Sequence, residues 1–300
     1  MRILTISFFF TACVLMAVGQ QTNDSELLET GRSAKLEKLA EPAKQISIVT
    51  YNIRWRTGDE LTKIADWLKG KRPTVIALQE VDRSKQRTKQ TNNARALAEQ
   101  LGMYYAWAAP PLPNKSKETE EETGVELLSP YPLTDVTRLV LPHEGPGGRW
   151  RVALGATVKT EKSEVRVYSV HAETRIPIDQ KIDQFRAVLN DLQRFPKSTP
   201  AVVMGDFNSW EPATVKKVRQ LFTAEGFVTP FSDNDQTFKR NAILFDVTLK
   251  LDWVWFRGLK ASSSGIDQSI TVSDHFPLWA IASFTTNENG ANPKTRPASD

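Results

Sequence analysis

Three short stretches of this 300-residue chain put chemistry-bearing side chains at the ends of apolar runs: Gln79-Glu80 after 75–78, Gly205-Asp206-Phe207-Asn208 after 201–204, and Ser273-Asp274-His275 just before 278–284. Apolar runs this short read as buried strands, and strand ends are where α/β sheets present their reacting groups. Carboxylates and an amide suit a hard divalent cation, with an imidazole beside it for proton or charge transfer. Neither a covalent nucleophile nor a cofactor loop is required. The chemistry implied is metal-dependent hydrolysis of a phosphoester.

Each position has a plainer reading to set beside this one. Asn52 follows Val49-Thr50-Tyr51 and could be a turn residue. Glu80 continues four apolar residues, where a bare carboxylate would be costly without a cation or donors. Asp206 and Asn208, two apart, point the same way if the chain is extended; an Asx turn is the alternative. The chain has three histidines, of which His171 and His275 adjoin apolar strands, whereas His143 sits in a Pro- and Gly-flanked stretch that reads as a solvated loop. Trp55, Trp150 and Trp210 lie near these positions and would either stack on bases or pack in the core. Arg149 and Arg151 would meet a phosphate or simply be solvated.

Alternating strands and helices must carry these residues. Strands are expected at 46–51, 75–78, 152–158, 165–170, 201–204, 251–256 and 278–284. Helices are expected at 59–70, with Asp59 as N-cap and Gly70 as stop, at 94–101 before Gly102, at 178–195, and at 213–224 before Gly226. Residues 20–45 form a polar lead-in in which Leu27, Leu28, Leu36 and Leu39 suggest a short amphipathic helix. Residues 110–123 read as a polar loop and 285–300 as a disordered tail. No internal repeat is visible.

Composition fits one large domain: 9% aromatic residues, eight of them Trp, argue against disorder. With 39 basic and 35 acidic residues and no long Lys/Arg run, the chain lacks the basic stripe of a dedicated nucleic-acid binder. Residues 1–19 are different material: Met1-Arg2 precedes an apolar run to Val18, with small residues Ala17-Val18-Gly19 at cleavage-site spacing. This is an export signal, with an uncleaved anchor as the alternative reading; the apolar run is short for the ~20 residues of a spanning helix. Phe10 fits poorly ahead of Cys13 for lipid attachment. Cleavage would remove Arg2 and the single cysteine, lowering the formal charge from +4 to +3. A periplasmic or extracellular protein without a membrane span or a disulfide is expected, held together by packing.

Taken in order, these motifs resemble the endonuclease/exonuclease/phosphatase superfamily. The resemblance runs through Asn52 in Val-Thr-Tyr-Asn-Ile, Gln79-Glu80, the block 124–132, Tyr168-Ser169-Val170-His171, Gly205–Asn208, Leu251-Asp252-Trp253-Val254 and Ser273-Asp274-His275-Phe276-Pro277. It implies a four-layer α/β sandwich, two mixed β-sheets packed face to face with helices on the outside, over 46–284. It implies that Asn52, Glu80 and Asp274 hold Mg2+ or Mn2+ and that Asp206 orients or deprotonates the attacking water, with Asn208 positioning it. By the same resemblance, His275, fixed by Asp252, meets the phosphoryl oxygens, and His171 donates to the leaving oxygen. Whether Asp206 or His275 is the base stays open. Arg54 departs from the pattern: the abasic-site enzymes have an acidic residue there.

The expected substrate is a phosphodiester, most readily nucleic acid; export favours extracellular nucleic acid or lipid head groups over genome repair. Phosphomonoesters or lipid and inositol head groups are the alternative, and a catalytically silent phosphate-binding module is the third. A lipid-surface enzyme should carry an exposed aromatic hairpin late in the chain, and 231–246 is too polar to suggest one.

Overall fold

The computed structural model describes residues 27–36, 45–111, 122–160, 163–241 and 245–285. In chain order the elements are β1 Leu28–Arg32, β2 Gln45–Asn52, α1 Gly58–Lys71, β3 Val75–Arg83, α2 Asn93–Leu101, β4 Tyr104–Ala108, β5 Glu122–Ser129, β6 Leu133–Val140, β7 Val152–Lys159, β8 Glu164–His171, α3 Ile178–Leu192, β9 Ala201–Asp206, α4 Pro212–Ala224, β10 Phe238–Asn241, β11 Asp246–Leu249, β12 Asp252–Arg257, β13 Leu259–Ile266 and β14 Leu278–Phe284. One sheet has the order β1-β4-β5-β3-β2-β14-β13 and the second β12-β9-β8-β7-β6; β10 and β11 form a separate hairpin. Both sheets are mixed, since β2 pairs parallel with β3, and β8 with β9, among antiparallel neighbours.

Side-chain alternation decides how the sheets stack. Along β2, Ile46 and Ile48 face one way and Val49 and Tyr51 the other; along β9, Val202 and Met204 oppose Ala201 and Val203. The first set of each joins a layer shared by the two sheets. The second sets meet helices: Leu61, Ile64 and Leu68 of α1 with Leu97 and Leu101 of α2 on one side, and Phe185 and Val188 of α3 with Val218 and Phe222 of α4 on the other. These are the four layers expected. Strands buried on both faces explain the continuous apolar runs in the sequence.

Several boundaries shift for identifiable reasons. Helix α1 starts one turn-residue earlier than expected, with Thr57 rather than Asp59 at its N-cap, and Asp59 lies in the first turn, where a carboxylate favours the helix dipole. It ends not at Gly70 but at Arg72, left-handed at φ 47°, because Pro73 bars the helical conformation at the residue before it. Helix α3 stops at Leu192, short of Phe195. The lead-in is not a helix where described: Leu28–Arg32 adds an antiparallel edge strand to β4, and Glu29 there accepts hydrogen bonds from Arg83, Asn92 and Tyr105. Leu39, residues 1–19, expected as an export signal, and residues 286–300, expected as a tail, lie outside the described residues.

Candidate active site

The same alternation that builds the core aims the polar strand ends. Asn52 follows Ile46, Ile48 and Thr50 on the inter-sheet side of β2. His171 follows Val165 and Val167 on β8, Asp206 follows Val202 and Met204 on β9, and Asp252 precedes Val254 and Phe256 on β12. Register aligns them: His171 is opposite Asp206, and Asp206 opposite Asp252. Four polar side chains therefore emerge at one end of the gap between the sheets.

Glu80 would miss this gap in a regular strand, because Val75 and Ala77 take the inter-sheet side and Ile76 and Leu78 the helix side. Strand β3 does not end at Leu78 as expected. It continues past a bulge at 79–81 in which Glu80 adopts φ 55°. A left-handed residue with a Cβ costs ~1–2 kcal/mol, and bulges near active sites typically re-aim one side chain. Here the carboxylate swings into the gap, where Asn52 Nδ2 donates to Glu80 Oε1 at 3.3 Å and to Asp206 Oδ2 at 3.0 Å. Gln79 keeps the inter-sheet direction and ties the sheets by donating to Ser169 Oγ at 3.1 Å.

Asp206 is 2% exposed and stands between two imidazoles, with Oδ2 3.6 Å from His171 Nε2 and 3.8 Å from His275 Nε2. Its other oxygen, Oδ1, accepts the Asn208 backbone N–H at 2.9 Å. The Asx turn and the site are thus built by one carboxylate. Asn208 is left-handed, φ 48°, so its side chain does not run parallel to that of Asp206 as an extended segment would require. It donates instead to the Ala172 carbonyl at 3.0 Å, next to His171. Lys181 of α3 clamps the turn from below through the Asn208 carbonyl at 2.6 Å. Gly205 is required at close quarters: a Cβ there would fall 2.1 Å from the Val170 carbonyl oxygen.

The two site histidines are driven in opposite directions. Burial alone would lower the pKa of His275, but Asp252, whose Oδ2 accepts from Nδ1 at 2.8 Å, and Asp206 outweigh it and hold it up to about 10. Burial, followed by the charge of Arg151, pushes His171 well below its ordinary value. Burial raises Asp206 to about 7 against the opposing pull of His275. Asp252 is buried and its Oδ1 has no hydrogen-bond partner among the described residues.

Behind His171 stands a network that the sequence did not reveal. Glu173, fully buried, accepts from Arg149 Nε at 2.8 Å and Arg151 Nε at 3.0 Å, and Arg151 Nη1 reaches His171 Nδ1 at 3.3 Å. The two arginines are neither simply solvated nor open to a phosphate on every side. An acidic residue two positions after His171 was the signal available. A small cavity of about 160 Å3 opens beside His171, between Trp150, Arg149 and Lys85. None of Trp55, Trp150 and Trp210 belongs to the core, which uses Trp107, Trp253 and Trp255; Trp55 lies against the guanidinium groups of Arg54, Arg56 and Arg87.

Two expected residues sit differently. Asp274 lies beside His275, but its carboxylate is engaged by Arg54, Nη1 to Oδ2 at 3.0 Å. His143, read as part of a solvated loop, is tied to a helix: its Nε2 lies 3.0 Å from Asp183 Oδ2 of α3. The stretch 231–246 also departs from expectation: β10 and β11 form a hairpin bearing the exposed Phe245, and β10 pairs back onto the site through Lys239 N–H to the Asp274 carbonyl at 2.8 Å.

Oxygen ligands of two kinds are available to a hard cation. Asp206, Asp252 and His275 offer atoms within 4.8 Å of one another, but the Asp252–His275 hydrogen bond already uses two of those three groups. Glu80 is the partly exposed carboxylate of the cleft, with 26% of its side chain accessible and one oxygen without a partner among the described residues. The donor set fits a divalent metal.

A four-layer sandwich with carboxylates and imidazoles gathered at the shared end of its two sheets defines a class of hydrolytic phosphoesterases. Residues 49–275 match the Endonuclease/Exonuclease/phosphatase family, and the chain belongs to it. A UPF0294 protein of Vibrio parahaemolyticus is 31% identical over 153 residues, 50% of this chain and 48% of that relative, so the match spans about half the relative's length. Among solved structures, an endonuclease/exonuclease/phosphatase from Beutenbergia cavernae superposes with TM-score 0.63 at 18% identity, covering 80% of this chain and 72% of that one. Danio rerio TDP2, complexed with a single-strand DNA product, does so with TM-score 0.62 at 14% identity, covering 79% and 98%.

Proposed function

We propose that this phosphoesterase is an exported, Mg2+- or Mn2+-dependent phosphodiesterase acting on nucleic acid. The observation that carries the reading is Asp206 Oδ2 held 3.6 and 3.8 Å from the Nε2 atoms of two oppositely tuned histidines. Asp206, titrating near neutrality, accepts the proton of the attacking water, since a base works best with a pKa close to the operating pH. His275, held as the imidazolium by Asp252, offsets the charge that grows on the nonbridging oxygens. His171 donates Nε2–H toward the leaving oxygen. Asn208 fixes the turn that presents Asp206. Glu80 and Asn52 would hold the divalent ion, which would supply Lewis-acid stabilisation of the same charge. Asp274, expected as a third ligand, would join them by giving up its pairing with Arg54.

Export rests on residues 1–19. The single-strand DNA product bound by the TDP2 structure belongs to that protein and supports nucleic acid here only by analogy of fold. Purified protein lacking residues 1–19, given Mg2+ or Mn2+, should cleave plasmid DNA, RNA or bis(p-nitrophenyl) phosphate. Hydrolysis of a phosphomonoester alone would overturn the reading, as would no hydrolysis at all. One observation favours a second reading, a lipid head-group phosphoesterase: Phe245 is 66% exposed on a hairpin that also carries Lys239 and Arg240. Cleavage of phospholipid vesicles in preference to DNA would select it.

A further inference from the structure

A cavity of about 650 Å3 adjoins the site on the side of Asp274. Arg54 and Arg56 form one wall and Lys239 and Arg240 the opposite one, and among the lining residues Asp274 is the single carboxylate. Arg240 has no partner among the described residues. The partners of the others are weak competitors: Glu60 meets Arg56 at 3.4 Å and Asp246 meets Lys239 at 2.8 Å, both carboxylates being about half exposed, a setting in which ion pairs are worth ~0–1 kcal/mol and exchange readily. Four cations lining one cavity with a single carboxylate, itself paired with Arg54, make it strongly positive.

The walls are tied to the reaction centre. Arg54 stands two residues after Asn52, whose Oδ1 accepts its backbone N–H at 3.0 Å, and Trp55 N–H donates to the Glu80 carbonyl at 2.8 Å. Both residues are left-handed, φ 46° and 52°. Such pairs of strained non-glycine residues persist only where their surroundings over-determine them, and they concentrate at ligand sites. On the other wall, β10 is held by the Lys239–Asp274 backbone bond, and the Phe238 ring packs edge-on against His275 with centroids 5.1 Å apart.

We propose that this slot is a second anion subsite, holding the phosphate next to the scissile one on a nucleic-acid strand. This rests on the phosphodiesterase reading and deepens it: the enzyme would select a polymer over an isolated diester. The slot reaches Ser273, Asp274 and Phe276, the residues on either side of His275, so a strand with its scissile phosphate at the reaction centre would lay the next phosphate there.

The test uses a fluorescein-labelled 12-mer single strand in EDTA, with affinity measured by anisotropy across a KCl series. Each phosphate neutralised on a single strand contributes about 0.7 to the slope of log K against log salt, so the double variant Arg56→Gln, Arg240→Gln, which empties a slot for one phosphate, should lower that slope by about 0.7. Lys216→Ala, an exposed lysine of α4, should leave it unaltered. In the presence of Mg2+, kcat/KM on the 12-mer should fall at least tenfold more than on bis(p-nitrophenyl) phosphate, which has no neighbouring phosphate. The singles Lys239→Gln and Arg240→Gln repeat the test with less risk to folding. Hydrolysis of bis(p-nitrophenyl) phosphate with an unchanged salt slope overturns the subsite and leaves the phosphodiesterase reading standing. Binding with the expected slope but no hydrolysis of any diester does the reverse. Loss of binding to anionic phosphatidylglycerol vesicles, with oligonucleotide binding intact, also overturns the subsite and assigns these cations to a lipid surface.

Discussion

Arg151 Nη1 lies 3.3 Å from His171 Nδ1. A guanidinium can only donate, so Nδ1 must present its lone pair and the ring proton must sit on Nε2, facing Asp206. The arginine therefore selects the tautomer, and Glu173 selects the arginine's position. Arg151→Gln should lower kcat roughly ten- to a hundredfold, the usual cost of losing a ligand-orienting partner, with less change in KM. Long-range 1H–15N spectra should show His171 as the Nε2–H form in the parent and as a mixture in the variant. An unmixed Nε2–H tautomer in the variant would refute the orienting role.

Glu80 reaches the cleft only because of its bulge, so its charge should be the property that matters there. Glu80→Gln keeps the shape and removes the charge, and we expect a folded protein with activity at least about a hundredfold lower at saturating Mg2+. Calorimetric titration with Mn2+ should show the same variant binding the ion more weakly. Full activity together with unaltered Mn2+ affinity would exclude Glu80 as the metal carboxylate.

Much of the site could be read from the chain because Asn52, His171 and Asp206 each terminate an apolar strand, and strand parity then fixes their common direction. The strand Leu278–Phe284 was legible to the residue, being an apolar run after Pro277 interrupted only by Ser283. What failed to show has a shared cause: it depends on partners far apart in sequence. A period-two strand points Glu80 toward the helices, and only the left-handed bulge reverses it. Nothing local announces that Arg54 will take the carboxylate of Asp274, 220 positions on, or that Arg149 and Arg151 will converge on Glu173. The lead-in leucines suited a helix by spacing, but β4 offered an open edge, and backbone pairing plus the Glu29 network won.

His275 and His143 separate the catalytic from the structural role, since each has a carboxylate partner and only one faces the cleft. His275 is buried against Asp252, whereas His143 meets Asp183 at the surface. His275→Ala should lower kcat by roughly three powers of ten with little effect on KM, as for an interaction made chiefly in the transition state. His143→Ala should remain within about threefold of the parent, the usual outcome for a surface change. Equal losses would show that a structural histidine had been taken for a catalytic one.

Glu126 supplies a prediction about stability. It is fully buried on β5, opposite Leu78 and Trp107, and neither carboxylate oxygen has a hydrogen-bond partner among the described residues. Burial, with a smaller contribution from the charge of Glu29, raises its pKa well above the ordinary glutamate value. An acid that binds its proton more tightly when folded costs nothing below the unfolded pKa near 4.3 and costs progressively more as the pH climbs through the folded value. Glu126→Leu replaces an orphaned acid with an apolar side chain of similar bulk, so it should raise Tm, by roughly 2–4 °C for each kcal/mol recovered. The gain should be larger at pH 8 than at pH 5. Glu126→Gln, which removes the same titration but keeps a polar group in the apolar layer, should likewise gain more at pH 8 than at pH 5 without delivering the full gain of the leucine. Thermal unfolding of the three proteins at both pH values checks the idea, and a Leu variant less stable than the parent at pH 8 would show that Glu126 is held ionised by a partner.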